Sequence, residues 1–307
     1  MGSFALIPRL GTILLMILLG AAAKWGGVMD KASAAALNRL TFHLFLPLLV
    51  FCSICKNLDR HSLAQAGWGV VTAAAVHLGC YLISFPYVRL LKLKSPTAGV
   101  HQFSLVFSNV AFVGLPIIQA LWGPEAMPAA SIFVVLFSLF NHTLGAFILS
   151  GKRRRRGIRD VFLTPPLVGA VLGIAAALLE IPLPPELFAG LEQIGAVTTP
   201  LAMTALGCTL ACTDLKSCLG DRYAYITCFM RLIVLPAAVC LILRCFIQDY
   251  YLWAVPTVVC AMPCPSTLPI LAQRYHSDEE AAGRMIALST LFAAVSIPLV
   301  AIVLLEL

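Results

Sequence analysis

The sequence predicts an all-α polytopic membrane protein of ten transmembrane helices, built as an inverted repeat of five plus five, with broken, crossing fourth and ninth helices. Three observations carry the prediction. Of the 307 residues, 60% are hydrophobic and only 11% are charged, and the mean hydropathy is +0.94; a water-soluble chain of this length needs far more charge to cover its surface. The apolar residues gather into stretches of about 20, the length that crosses a hydrocarbon core of about 30 Å. Landmarks also recur in one register: Gly20 and Gly173, Pro47 and Pro200, and Pro116 and Pro269 are each 153 residues apart, as are Cys55 and Cys208, and Gly67 and Gly220.

In order, the stretches are Ala5–Ala23, Ala36–Cys55, Leu63–Val88, Val100–Trp122, Pro128–Ser150, Val161–Ile181, Leu187–Cys212, Tyr223–Phe246, Leu252–Ala272 and Met285–Leu305. Short connections leave no room for a soluble domain, so residues 1–307 read as one membrane domain, with repeats over 5–150 and 160–306. Because five is odd, the second repeat runs through the bilayer in the opposite sense, a recurring plan of secondary transporters. The first stretch is read as a span and not as a cleaved signal, because the only early cation is Arg9 and the next basic residue, Lys24, follows the stretch, whereas a signal peptide carries its positive charge before the apolar run. "MGSFAL" carries Leu6 where a myristoylation signal needs Ser or Thr.

The net charge of +7 concentrates in "KRRRRGIR", Lys152–Arg159. That run reads as a cytoplasmic loop under the positive-inside rule and not as a nucleic-acid patch. Placing it inside puts both termini outside. Lys24, Lys31, Arg39, Arg89, Lys92, Lys94, Lys216, Arg222, Arg231, Arg274 and Arg284 then fall on or near the cytoplasmic side, against Arg9, Lys56, Arg60 and Arg244 outside. The eleven cysteines lie almost entirely within spans, with no histidine or carboxylate clustered beside them. They read as small apolar residues between helices, and neither a metal nor a cofactor is expected.

The fourth stretch contains "SNVAFVGLP", in which Ser108, Asn109, Gly114 and Pro116 interrupt the helix. Its repeat mate contains "AMPCPSTLP", with Met262, Pro263, Pro265, Ser266, Thr267 and Pro269. Non-helical backbone at membrane depth persists only inside protein or beside a water-filled cavity, so both spans are expected to break near the midplane, side by side. Pro116 and Pro269 suit the first turn of the second half-helices, where a missing N–H is no loss, with Ser266 or Thr267 as an N-cap. Free amides and the positive dipole ends then favour an anion. No fixed Lys or Arg is expected nearby, so a small carboxylate is expected to be held mainly by backbone, with Asn109 and Thr267 orienting it.

These residues resemble the auxin efflux carrier family. "NVAFVGLP" is similar to its fourth-span motif, "AMPCPSTLPILAQRYHSDEEAAGRMIALSTL" to its ninth and tenth spans, and "FHLFLPLLVFCSI" and "TPPLVGAVLGIAAALLEIPLP" to its second and sixth. The likeness covers essentially the whole chain and, without a long hydrophilic loop, is closest to the compact bacterial members. It implies a fold like that of the bile acid:sodium symporters. Spans one, two, six and seven would form a scaffold, and spans three to five and eight to ten a transport domain. It further implies an organic-acid substrate moved by elevator-type alternating access, a homodimer through the scaffold, and a place in the cell (inner) membrane. By position, Asn109, Gly114, Pro116 and Pro263 fall on that family's substrate crossing. Ala111 stands where glycine is usual and Thr267 where asparagine is common, and Pro265 and Pro269 are additional, so the substrate is not inherited from any relative.

Ionisable residues inside a bilayer are functional candidates by default. His77 in the third span is the candidate proton relay, with a neutral, hydrogen-bonded histidine as the alternative; His43 and His142 are weaker candidates. Asn141, Gln193, Thr198 and Thr199 either line a polar path or join helices. Asp214 is a further coupling candidate, although Asp214 and Asp59 lie near span ends, where solvated carboxylates are the default. The spans hold no carboxylate cluster suited to sodium, which favours uniport or proton coupling. An enzyme is disfavoured, because no metal motif or paired nucleophile and base is present. A channel or a transporter-like receptor could use the same broken helices.

Overall fold

A computed structural model of the chain describes residues 6–57, 63–150, 165–212, 220–265 and 267–305. The 152–159 loop, Asp59, Asp214 and Ser266 lie outside the described residues. Among the described residues all regular structure is helical. Five helical stretches are long and apolar enough to cross a membrane: Lys31–Lys56, Gly67–Leu90, Pro185–Ala211, Arg222–Phe246 and Glu279–Leu304. Shorter apolar helices cover Leu14–Trp25, Met127–Phe137, Val168–Leu178 and Tyr250–Cys260. Large apolar side chains such as Leu19, Leu82, Leu241 and Val295 stand outward, as lipid-facing residues do. The chain is a multi-pass membrane protein.

Its helices fall into two compact units. One gathers residues 1–70, 111–135 and 162–213, the other residues 71–110, 136–161 and 214–307. The first unit contains α1 (Leu6–Trp25), α2 (Lys31–Leu40) and α3 (Leu46–Asn57), the last two joined by a π-turn at Thr41–Phe45. The long α4 (Leu63–Leu90) and α5 (Thr97–Val106) follow, then α6 (Leu115–Trp122), α7 (Met127–Phe140) and α8 (Ala146–Ser150). From residue 165 on come α9 (Pro165–Leu178), α10 (Pro185–Ala196) and α11 (Thr198–Ala211). The chain ends with α12 (Arg222–Phe229), α13 (Leu235–Phe246), α14 (Tyr250–Cys260), α15 (Leu268–Arg274) and α16 (Glu279–Leu305).

In the first unit α1 packs on α11, and α3 packs on α9 and α10. Lipid gives apolar helices no reason of its own to associate, so close packing of small residues must do so. A Cβ on Gly20 would lie 1.9 Å from the Thr204 carbonyl oxygen, and one on Gly207 would lie 1.8 Å from that of Ile17. The α1–α11 pair is therefore held at a separation that only glycine permits. Gly207→Ala is expected to force these backbones apart and to lower stability by about 1–3 kcal/mol, the usual cost of overpacking, read as a lower unfolding midpoint in detergent.

The second unit is organised around α5, whose residues Val100–Val106 are all buried. At one end Asp221 accepts from the Ala224 N–H at 3.1 Å and from Arg284 Nε at 3.0 Å. Asp278 accepts from the Ala281 N–H at 2.9 Å and from the Thr97 hydroxyl at 2.5 Å, which ties the starts of α5 and α16. Partial burial pushes the Asp278 carboxyl up, but the Ala281 N–H, the Thr97 hydroxyl and the Arg284 charge outweigh it and hold the carboxyl below the 3.8 of an ordinary aspartate. A depressed folded pKa means that this stabilisation is complete above about pH 4 and is lost as the pH falls through the folded value. The unfolding midpoint is therefore expected to drop as the pH falls below about 4, and Asp278→Asn to flatten that part of the profile.

Candidate functional site

The Val100–Trp122 stretch, the expected fourth span, breaks where α5 ends. Phe107 turns extended, at φ −110° and ψ 130°, and helical structure resumes as a π-turn over Val110–Gly114 that runs directly into α6. The break is thus shorter than the Asn109–Pro116 expected from sequence. Gly114 is already helical, at φ −65° and ψ −55°, and Pro116 is the second residue of α6, where a missing N–H costs nothing. Because the π-turn supplies the preceding turn, the free-amide end of this half-helix lies at Val110–Gly114 and not at Pro116. Gly114 and Pro116 belong to the first unit, and Ser108, Asn109, Asn141, Met262, Pro263, Pro265 and Thr267 to the second.

In the expected ninth span α14 ends at Cys260, Ala261 and Met262 close its last turn, and α15 restarts at Leu268 with Pro269 second. Within the second unit the two interruptions meet. The Asn109 N–H donates to the Pro263 carbonyl at 2.9 Å, a single bond joining one unwound segment to the other. The Cys264 N–H donates to Ser289 Oγ of α16 at 3.0 Å. These two amides are therefore committed to protein, and fewer backbone donors remain than a site built mainly from backbone requires.

Polar side chains remain instead. Asn109 is buried, and its side chain forms no hydrogen bond with a described residue. Thr267 occupies the N-cap position of α15 without making a capping bond, contrary to the capping role expected for it. Its Oγ1 is buried and unpartnered, as is Oδ1 of Asn141. Asn141 begins a π-turn, Asn141–Gly145, that lies against α5 and the break. A Cβ on Gly145 would come within 2.7 Å of the Phe103 ring and 3.2 Å of the Phe107 ring, so glycine lets this turn close on the crossing. Met262, Pro263 and Pro265 are buried.

His77 also reaches the break. Its ring lies 6.3 Å from that of Phe107 and 5.5 Å from that of Phe140. Its Nδ1 is 2.7 Å from the Ala73 carbonyl, which only accepts, so Nδ1 carries the proton. His43 Nδ1 is likewise turned to a carbonyl of its own helix, Arg39, at 2.9 Å. Thr198 is buried with an unpartnered hydroxyl in the first unit, and Gln193 is exposed there.

Two residues that sequence reasoning did not single out complete the second unit. Arg231, assigned from sequence to the cytoplasmic side, is 1% exposed and sits in a π-turn, Met230–Val234, within the Arg222–Phe246 stretch. Its Nε donates to the Met262 carbonyl at 3.0 Å. Its Nη1 donates to the carbonyls of Ser104 and, at 3.3 Å, Leu105, and Nη2 to Ser108 Oγ at 2.6 Å. The expectation of a crossing without a fixed cation is thereby overturned. The available signal was depth: Arg231 lies nine residues into the Arg222–Phe246 stretch, about 14 Å along the helix, where a charge is functional by default. The second residue is His101. Thr227 Oγ1 donates to the Tyr223 carbonyl at 2.8 Å, so its 2.7 Å contacts with His101 Nδ1 and Tyr87 Oη must both be accepted bonds. That leaves His101 Nε2 as a buried acceptor without a partner.

Comparison with known proteins follows the same lines. A family model described as membrane transport protein matches residues 5–162 and 154–301. An uncharacterized transporter of Methanocaldococcus jannaschii is 25% identical over 298 residues, covering 94% of this chain and 95% of that protein. An uncharacterized transporter of Methanothermobacter thermautotrophicus is 25% identical over 297 residues, covering 95% and 96%. A Rhizobium meliloti protein named "Putative malonate transporter" is 22% identical over 271 residues, covering 85% and 84%.

Proposed function

Since the chain belongs to the membrane transport protein family, that of the auxin efflux carriers, we propose that it is a secondary carrier that moves a small organic anion, a carboxylate, across the cell membrane. The observation that carries this reading is the bond from the Asn109 N–H to the Pro263 carbonyl, because it joins two interrupted spans at a point where buried polar groups stand unsatisfied. Asn109, Thr267 and Asn141 offer the hydrogen bonds, the restart of α15 at Leu268 offers a positive dipole end, and Arg231 offers a full charge. Ser108 and Ser266 belong to the same proposed site. The matching placement of α5 with α14 and of α6 with α15, each about 153 residues apart, supports the inverted repeat. The elevator reading assigns spans three to five and eight to ten to the moving domain, and the remaining spans to a scaffold through which two copies pair. His77, with its proton on Nδ1 and its ring against Phe107, is the proposed proton-linked group.

The name of the Rhizobium meliloti relative makes malonate the first substrate to test. Purified protein in proteoliposomes is expected to take up radiolabelled malonate saturably, with counterflow when the vesicles are preloaded. Binding without flux would identify a receptor, and single-channel currents a pore; failure to bind malonate or any other small carboxylate would end the anion reading.

A further inference from the structure

We propose that Arg231 is a built-in coupling cation: its guanidinium fills an oxygen cage of the kind that an exchangeable monovalent cation would occupy, so that the crossing holds its anion without a co-bound metal ion. The cage has three carbonyls, those of Ser104, Leu105 and Met262, and the Ser108 hydroxyl. Ser104 and Leu105 lie in the last turn of α5, and Met262 closes the end of α14. These are carbonyls that helix ends leave without an internal partner, and they mark the negative poles of both first half-helices. Unwound carbonyls and half-helix C-terminal ends are what bind sodium in transporters with discontinuous helices, and oxygen donors of this class suit hard cations generally. Here the cation is covalently attached and cannot leave.

Two consequences follow. A guanidinium does not lose its proton in a protein, so the charge is permanent. No carboxylate among the described residues pairs with it, since all its bonds run to neutral oxygens. A buried charge lacking a counter-ion is unfavourable, and an anion arriving at the crossing relieves that penalty. The two charges are thus divided between occupants: the fixed arginine on the C-terminal ends and the travelling anion at the unpartnered polar groups of Asn141 and Thr267. This second consequence rests on the anion reading given above, whereas the cage itself does not.

The test separates the two. Arg231→Ala in the full-length protein empties the cage, and its unfolding midpoint is measured in choline, sodium, potassium and low-millimolar ethylguanidinium chlorides at matched ionic strength. The wild type is expected to show no cation preference. The variant should unfold early in choline and recover most of the loss, saturably, with ethylguanidinium or one of the metal ions. Malonate uptake, expected to fall at least about tenfold for the loss of charged hydrogen bonds, should recover with the same cation. A folded variant indifferent to every cation overturns the proposal. If Arg231→Ala does not fold, Arg231→Lys and Arg231→Met decide: Lys should retain sodium-independent uptake and Met lose it, and equal uptake by the two overturns the proposal. Cation rescue of the midpoint without malonate uptake by the wild type supports the cage and removes only the anion reading.

Discussion

Arg231→Leu is expected to reduce the unfolding free energy of the crossing-bearing unit by about 3–5 kcal/mol, the range seen when one partner of a buried charged network is removed. The sign is not self-evident, because burying a guanidinium is unfavourable and leucine is apolar. What decides it is the fate of the acceptors. Replacing both sides of a polar contact by well-packed apolar groups is often neutral, but the Ser104, Leu105 and Met262 carbonyls are backbone and remain. Each buried acceptor left unpaired costs about 1–3 kcal/mol, and leucine offers these acceptors no donor. Arg231→Lys should fall between leucine and wild type, since an ammonium keeps the charge but loses the planar fork that reaches four oxygens at once. Denaturation in mild detergent measures this directly, and a leucine variant as stable as wild type would show that the arginine is incidental to the crossing.

The architecture was legible where a residue's chemistry permits few alternatives. Proline lacks an N–H and suits a helix start, and Pro116 and Pro269 are both second residues of their half-helices, although Pro86, Pro256 and Pro298 stand inside helices. The cluster Pro263–Pro265 could not continue a helix, and the chain unwinds there. The exact limits of the fourth-span break were not legible, because a π-turn needs no special residue: "VAFVG", "MRLIV" and "NHTLG" share no composition that marks them. Nor could the sequence say which backbone amides would be used internally. That depends on Ser289, in α16, reaching Cys264, and on Pro263 lying beside Asn109, two relations set by packing alone. Arg231 was misread for a related reason. One arginine near Arg222 adds smoothly to a charge bias at the membrane surface, and only its depth distinguishes it.

The division of labour at Asn109 yields the sharpest functional expectation. Its backbone N–H holds Pro263, while its side chain is buried and makes no hydrogen bond with a described residue. Asn109→Ala therefore keeps the link between the two breaks and deletes only the amide. Thr267→Val likewise keeps the shape of the side chain and deletes a hydroxyl that partners nothing. A hydrogen bond to a carboxylate contributes about 1.5–3 kcal/mol, so each substitution should weaken malonate binding by about ten- to a hundredfold. Stability without ligand should move the other way or not at all, because removing an unsatisfied buried polar group removes a penalty. A residue that merely joins helices would give the opposite pair of results, a lower unfolding midpoint with unchanged affinity for whatever fold survives. Titration calorimetry with malonate, beside unfolding midpoints of the unliganded variants, reads both quantities on one preparation. Undiminished malonate affinity in the double variant Asn109→Ala, Thr267→Val would move the binding site away from the crossing altogether.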